Sequence, residues 1–171
     1  MWRAPKTEPN FPEVTLKYLD EGKVAVVSLN RPKKLNAIVW DHFYQLKECF
    51  EYLGRSGSEV RAIVFTGAGK HFTAGIDLMS APQELLKLKE KADESDAGRA
   101  AIAFFPGVEP LQACISSLAD CRVPVIAAIH GVCFGLGNDF ISAADIRICT
   151  SYSKFSIKEV DLGLASDVGV H

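Results

Sequence analysis

The chain has 171 residues, 48% of them hydrophobic and 23% charged, a mixture typical of one globular domain with a sizeable core. Nineteen Lys and Arg residues stand against 21 Asp and Glu, for a formal net charge of −2, which argues against a nucleic-acid-binding protein. The five cysteines are widely spaced and form no CxxC pair, so we expect neither a metal site nor a disulfide framework, and a reducing compartment. No apolar run is long enough to span a membrane.

The first elements in chain order are a predicted hairpin and a helix. Residues 1–12 contain three prolines and are expected to form an extended lead-in to a single domain over residues 13–171. Residues 13–19 alternate polar and apolar side chains, and residues 23–29 follow a Glu-Gly turn, so the two segments are predicted to pair. Asn36 is predicted to cap a helix that runs to about Leu53, because apolar residues recur there at helical spacing.

The remainder of the chain alternates between strand and helix patterns. Strands are predicted at residues 60–66, 124–130 and 146–149, and helices at residues 100–118 and 138–144. A further strand-to-helix passage is expected from His71, and the charged residues 87–99 are expected to form a solvated helix or loop. This alternation predicts an α/β fold with right-handed crossovers, in which β-β-α turns could stack as a spiral.

Two glycine-bearing turns lie where a strand should give way to a helix, at residues 71–78 (HFTAGIDL) and 131–139 (GVCFGLGND). The start of a helix leaves backbone N–H groups unpaired and carries a partial positive charge. Two such groups that converge would form an oxyanion hole. Taken alone, each turn is more typical of a simple connection, since neither matches a nucleotide-binding glycine pattern.

Three carboxylates follow the second turn, namely Asp139, Glu159 and Asp167. Asp139 lies within an apolar helical pattern, where an unpaired charge would be costly. For Glu159 and Asp167 both a functional role and simple surface exposure stay open on spacing alone. His71 and His130 lie beside turns and are interpreted as structural residues.

Four segments together resemble the crotonase superfamily. They are residues 31–37 (RPKKLNA), 71–78 (HFTAGIDL), 126–150 (IAAIHGVCFGLGNDFISAADIRICT) and 155–169 (FSIKEVDLGLASDVG), in the family order across about residues 13–169. The combination of Asp139, Glu159 and Asp167 resembles the dienoyl-CoA isomerase branch of the family in particular. Typical enoyl-CoA hydratases place glutamates at positions 139 and 159.

The resemblance implies a crotonase-like ββα spiral that binds an acyl-CoA thioester and needs no cofactor beyond the CoA of its substrate. The thioester carbonyl would lie between the N–H groups of Ile76 and Leu136, Glu159 and Asp167 would handle protons, and Asp139 would support the local charge arrangement. The residues implied in substrate binding are Gly75, Ile76, Asp77, Leu78, Met79 and Gly137. The resemblance also implies a homotrimer or hexamer for the full-length form, and a location in the peroxisome or glycosome or in the mitochondrial matrix.

Two departures from the family pattern bear on these expectations. Leu136 occupies a position that is usually glycine, so its side chain is expected to crowd the thioester or narrow substrate choice, although its N–H is retained. The sequence stops at His171, before the helical region that closes the acyl pocket in the family, and we expect a fragment of a longer protein. We weigh three functional hypotheses, of which isomerisation of 3,5-dienoyl-CoA to 2,4-dienoyl-CoA in β-oxidation is the leading one. Enoyl-CoA hydration or Δ3-Δ2 isomerisation is the alternative, and a non-catalytic acyl-CoA-binding module is the alternative of another class.

Overall fold

The computed structural model describes residues 11–55, 59–80, 97–162 and 168–169. In chain order its helices and strands are β1 (Val14–Leu19), β2 (Val24–Leu29), α1 (Trp40–Leu53), β3 (Ala62–Gly67), α2 (Ala97–Ala119), β4 (Val125–Ile129), β5 (Val132–Phe134), α3 (Leu136–Ala143), β6 (Ile146–Cys149) and β7 (Lys154–Ser156). The alternation of strands and helices confirms the predicted α/β class.

A five-stranded sheet with the order β1-β2-β3-β4-β6 is the main layer of the fold. The predicted hairpin is confirmed, since β1 and β2 pair antiparallel with Val14 opposite Leu29. The pairs β2-β3, β3-β4 and β4-β6 are all parallel, and such strands need a long crossover connection between them. Alternate residues of β2, namely Ala25, Val27 and Leu29, are fully buried, which places one face of this sheet on the core.

A second, smaller sheet runs beside the first and makes the chain a spiral. Its strands β5 and β7 pair in parallel, with Cys133 opposite Phe155. Two parallel bridges extend the same pattern to earlier parts of the chain, one between Thr73 and Cys133 and one between Ile38 and Ile76. After each of the strands β2, β3, β4 and β6, therefore, the chain passes through a short extended segment in the second layer.

The core lies between the main sheet and the helices. Phe65 of β3 is fully buried at its centre, and its ring meets those of Phe50, Phe72 and Phe140 edge-on at centroid distances of 5.7, 5.4 and 5.6 Å. Aromatic pairs in this geometry contribute about 0.5–1.5 kcal/mol each beyond their area burial. The four rings come from α1, β3, α3 and the loop after β3, so this cluster ties successive turns of the spiral together.

Some sequence predictions need correction. Asn36 does not cap a helix, because α1 begins at Trp40 with Val39 as its N-cap. The passage from His71 contains isolated bridges rather than a regular strand, and the three-residue strands β5 and β7 were not predicted at all. The helix predicted over residues 100–118 is confirmed as α2, whereas the predictions for residues 87–96 and for most of the lead-in lie outside the described residues.

The five cysteines are free thiols in the structure. Three of them, Cys49, Cys114 and Cys133, are buried, and burial raises the pKa of each thiol to about 12. Within the described parts of the chain, no helix combines the length and apolar character that crossing a membrane requires.

Candidate active site

The turn between β2 and α1 is built around Asn36, and it supports the Gly75–Leu78 segment of the candidate site. Leu35 and Asn36 both adopt left-handed backbone conformations, with φ values of 52° and 54°. Asparagine tolerates this region better than most residues. The buried Asn36 amide accepts a hydrogen bond from the Arg31 N–H at 3.0 Å and donates to the carbonyls of Ala68 and His71 at 2.8 and 2.7 Å. The turn is thereby fastened to the loop that follows β3.

The backbone around Ile76 leaves one N–H group without a hydrogen bond among the described residues. The N–H of Ile38 donates to the carbonyl of Gly75 at 2.8 Å, and the N–H of Asp77 donates to the carbonyl of Ile38 at 2.8 Å. In a parallel bridge of this kind the N–H of the middle residue points away from the partner segment. The Ile76 N–H therefore points away from Ile38, and it finds no hydrogen-bond acceptor among the described residues.

A second free N–H group belongs to Leu136, the first residue of α3. The first N–H groups of a helix have no acceptor within the helix. Gly135, with a φ of 51°, brings the chain into α3, and its N–H donates to the Ser156 carbonyl at 2.8 Å. The amide of Asn138 donates to the carbonyls of Gly135 at 3.1 Å and Ser156 at 2.9 Å, so the helix start is tied to β7.

Both segments line one cavity of about 430 Å³. Its lining is largely apolar and consists of Ala74, Gly75, Ile76, Leu78, Phe134, Gly135, Leu136, Lys158, Glu159 and Asp161. The cavity thus brings together Gly75, Ile76, Leu78, Leu136 and Glu159 among the residues predicted from sequence. A larger cavity of about 590 Å³ between α1 and α2 contains none of the predicted site residues.

Glu159 places a carboxylate beside the start of α3. Its Oε1 atom lies 3.2 Å from the position that a Cβ atom on Gly135 would occupy. Its Oε2 atom is buried and has no hydrogen-bond partner in the described part of the chain. Burying a carboxylate oxygen without a partner is costly, and native proteins seldom do so away from functional sites. Glu159, Ile76 and Leu136 therefore line one cavity, and each has a polar group without a hydrogen-bond partner among the described residues.

The ion pair between Lys158 and Asp161 forms the rim of this cavity. The ammonium of Lys158 lies 2.7 Å from the Asp161 carboxylate and 5.6 Å from the centroid of the Phe134 ring. A cation over an aromatic face is favoured by about 0.5–1 kcal/mol at exposed sites. The pair holds the Lys158 side chain along the cavity wall next to Glu159.

Several predicted site residues do not line the cavity. The Asp77 carboxylate pairs with Arg31 at 3.1 Å, Met79 is 96% exposed, and Gly137 packs against Thr73. Asp139 is buried on α3, and a Cβ atom on Gly169 would lie 3.1 Å from its Cβ. Asp167 lies outside the described residues.

The two histidines beside the turns make structural hydrogen bonds. The Nδ1 atom of His71 accepts the N–H of Val132 at 3.2 Å. The Nε2 atom of His130 lies 3.1 Å from the carbonyl of Gly69. Among the residues that the structure describes, no cluster of three histidine, cysteine or acidic side chains is arranged to hold a metal ion.

Sequence reasoning missed five lining residues, namely Ala74, Phe134, Gly135, Lys158 and Asp161. The signal for Lys158 and Asp161 was present, since they stand three residues apart on either side of Glu159, a spacing at which opposite charges often pair. Phe134 gave no such signal, because a single aromatic residue in a glycine-bearing turn is compatible with many environments.

Comparison with known proteins gives the context for this site. A family model described as enoyl-CoA hydratase/isomerase matches residues 20–171. A mitochondrial Δ(3,5)-Δ(2,4)-dienoyl-CoA isomerase of Mus musculus is 46% identical over 143 residues, which is 84% of this chain and 42% of that protein. A peroxisomal protein of the same name from Arabidopsis thaliana is 42% identical over 142 residues, which is 82% of this chain and 49% of that protein.

Solved structures are similar over most of the described fold. An enoyl-CoA hydratase from Shewanella pealeana superposes with a TM-score of 0.72 at 24% identity, covering 92% of this chain and 54% of that one. An enoyl-CoA hydratase/isomerase from Marinobacter aquaeolei superposes with a TM-score of 0.70 at 26% identity, covering 90% of this chain and 55% of that one. These similarities confirm the predicted crotonase-like fold. The chain spans about half the length of the proteins that it matches.

Proposed function

The chain belongs to the enoyl-CoA hydratase/isomerase family, and we propose from this premise that it isomerises 3,5-dienoyl-CoA to 2,4-dienoyl-CoA in fatty-acid β-oxidation. In this proposal the acyl-CoA thioester occupies the cavity between the Gly75–Leu78 segment and the start of α3. The N–H groups of Ile76 and Leu136 bind the thioester oxygen. Glu159 and Asp167 handle the protons.

One observation carries the proposal, namely that Glu159, which has an unpartnered carboxylate oxygen, lines the same largely apolar cavity as Ile76 and Leu136, whose peptide N–H groups make no hydrogen bond among the described residues. Removal of a proton next to a thioester carbonyl places negative charge on its oxygen. Donors aimed at that oxygen stabilise the enolate, and loss of one such donor typically costs about 3–4 kcal/mol of barrier. A reaction that forms an enolate needs a proton-accepting carboxylate and such N–H donors close to each other.

The isomerisation moves two double bonds by one carbon each. A proton leaves carbon 2, the electron pair is delocalised over the thioester and the conjugated chain, and a proton returns at carbon 6. Because these carbons are far apart, two carboxylates serve the reaction better than one. We assign Glu159 to one of the two carbons and Asp167 to the other, with Asp139 buried on α3 as support for the charge arrangement.

Enoyl-CoA hydration is the second candidate function, because the chain is also similar to a hydratase. A short-chain-enoyl-CoA hydratase of Clostridium acetobutylicum is 37% identical to the chain over 152 residues, or 87% of the chain and 51% of that protein. A hydratase must hold a water molecule between two acids, and Asp139 is one methylene shorter than glutamate. The shorter acid favours isomerisation over hydration.

The test measures both activities and binding in one set of proteins. We expect the whole protein to convert 3,5-dienoyl-CoA in preference to hydrating 2-enoyl-CoA, detected by the absorbance of the product, whose diene is conjugated with the thioester. Glu159→Gln should lower turnover at least about 100-fold, because an amide of the same shape cannot exchange a proton. Binding of a saturated acyl-CoA, measured by calorimetry, should be nearly unchanged.

A matched control is Glu51→Gln, which removes a carboxylate that pairs with Lys47 on α1. It should leave turnover unchanged. Wild-type turnover in the Glu159→Gln protein would remove Glu159 from the mechanism. Binding of acyl-CoA by the unmodified chain without conversion of any substrate would instead establish a non-catalytic binding module.

The partners and location of the whole protein follow from the same proposal. The relatives bear names that place them in mitochondria and in peroxisomes, which are among the compartments that the family resemblance implies. We propose one of these locations for this protein, and a homotrimer or hexamer as its assembly. The proposed reaction uses no cofactor beyond the CoA of the substrate.

A further inference from the structure

We propose that Thr73 is the positioning residue that fixes the two N–H donors of the site relative to each other, an inference that rests on the proposed function. Thr73 is fully buried and does not line the cavity. It lies between the two segments that carry the donors and contacts both of them.

The hydroxyl group of Thr73 organises the segment that carries Ile76. It donates a hydrogen bond to the carbonyl of Asn36 at 2.7 Å and accepts one from the N–H of Gly75 at 3.1 Å. Gly75 has a φ of 91° and directly precedes Ile76. The direction of the Ile76 N–H therefore depends on a hydrogen bond that the Thr73 hydroxyl makes within the same loop.

The backbone and the methyl group of Thr73 contact the second donor segment, which consists of β5 and the start of α3. The Thr73 N–H donates to the carbonyl of Val132 at 3.1 Å, and the Thr73 carbonyl accepts the N–H of Phe134 at 3.1 Å, which docks the whole of β5. The Cγ2 methyl lies only 2.6 Å from the position that a Cβ atom on Gly137 would occupy. The methyl thus packs directly on the residue after Leu136, at the start of α3.

A donor pair works only if its geometry is held closely. Misplacement of a catalytic group by about 1 Å can cost about 100-fold in rate. Threonine is suited to this position because its hydroxyl and its methyl are used in different directions, one towards Gly75 and the other towards Gly137. Valine keeps the shape without the hydroxyl, and serine keeps the hydroxyl without the methyl.

The test compares two ligands that differ only at the carbonyl, hexanoyl-CoA and its thioether counterpart S-hexyl-CoA. The unmodified chain should bind the thioester more tightly, because only the thioester can accept the two N–H bonds. In Thr73→Val this preference should fall about tenfold, while affinity for S-hexyl-CoA stays the same. A preference that is unchanged in a folded Thr73→Val protein would overturn the inference.

The amide resonances of Ile76 and Leu136 in free ¹⁵N-labelled protein provide a readout that needs no ligand. Thr73→Val should shift the Ile76 resonance, whereas Thr73→Ser should leave it in place and shift that of Leu136. A Leu136 resonance that does not move in Thr73→Ser would refute the role of the methyl group. The Thr73→Ser measurement remains decisive even if the Thr73→Val protein does not fold.

The two readouts separate failure of this inference from failure of the proposed function. If the unmodified chain shows no preference for the thioester, the oxyanion hole and hence the proposed function fail, and the amide resonances alone decide the role of Thr73. Thr66→Val is the matched control, since its hydroxyl also donates to a backbone carbonyl, that of Ala128 at 2.8 Å, but contacts neither donor segment. It should leave the ligand preference and both resonances unchanged.

Discussion

The pH dependence of stability should be governed in part by His42. This residue is fully buried in the first turn of α1, where its Nδ1 atom accepts the N–H of Val39 at 3.1 Å. Its Nε2 atom is buried and has no partner among the described residues. Burial, with a further contribution from the nearby Arg31 charge, lowers the pKa of His42 from 6.5 to about 4. The folded protein therefore keeps this imidazole neutral.

The size of the effect follows from the two pKa values. The unfolded chain takes up a proton on His42 below about pH 6.5, whereas the folded chain resists protonation down to about pH 4. Stability is thus complete above pH 6.5 and is lost as pH falls through this window. The pKa difference corresponds to about 3 kcal/mol in all, of which about 2 kcal/mol is already lost at about pH 5.

Urea unfolding at about pH 7 and about pH 5 checks this expectation. His42→Gln is the matched variant, because glutamine at this helix position can still accept the Val39 N–H but does not titrate. The unmodified chain should lose about 2 kcal/mol more than the variant between the two pH values. If the two proteins lose stability in parallel, His42 is not the buried neutral group that its environment indicates.

Three further outcomes are expected. Asp139→Glu should raise hydration of 2-enoyl-CoA at the expense of 3,5-dienoyl-CoA isomerisation, measured by parallel rate assays, and an unmodified chain that already prefers hydration would contradict the isomerase assignment. Iodoacetamide should modify the exposed Cys149 first and leave Cys133 untouched in the native state, since burial raises the Cys133 pKa to about 12, so equal labelling of both by mass spectrometry would contradict the described burial. The chain should self-associate in sedimentation experiments over a concentration series, because apolar side chains such as Ile148 and Val160 are 60% and 70% exposed, and a soluble monomer with full isomerase activity would contradict this.

The elements with a clear hydrophobic period were predicted well from sequence. The strands β2 and β4 and the helices α1 and α2 all bury residues at regular spacing, and their existence needed no further information. The strands β5 and β7 have only three residues each, which is too short for a period to be visible. Their pairing depends on parallel partners that are distant in sequence.

Asn36 illustrates why some local predictions fail. A side-chain amide before an apolar helix is a reasonable N-cap, but the same amide also tolerates a left-handed backbone and can bond in three directions. The structure uses it for the second purpose, with all three hydrogen bonds made to Arg31, Ala68 and His71. The loop after β3 determines whether Asn36 acts as an N-cap or as a turn residue. That loop is about 30 residues away in sequence, so a local pattern cannot reveal its effect.

The candidate site was accessible from sequence only through the family resemblance. Spacing alone did not distinguish a functional Glu159 from an exposed one, whereas the family motifs indicated both Glu159 and the turn at Leu136. The structure brings these two residues and Ile76 to one cavity. The role of Thr73 was not predicted, because its contacts form between segments that are brought together only by the fold. No pattern along the sequence indicates them.

The parallel bridges between successive turns of the spiral have a consequence for local unfolding. Ile76 and Leu136 belong to different turns, and they are joined through the Thr73–Cys133 bridge rather than through continuous secondary structure. Opening of either turn would separate the donors without unfolding the main sheet. Sub-global opening of this kind commonly requires less free energy than complete unfolding. Exchange of the Thr73 and Phe134 amides, which are hydrogen-bonded across this bridge, should therefore share one opening free energy, below that of the β2 and β3 amides.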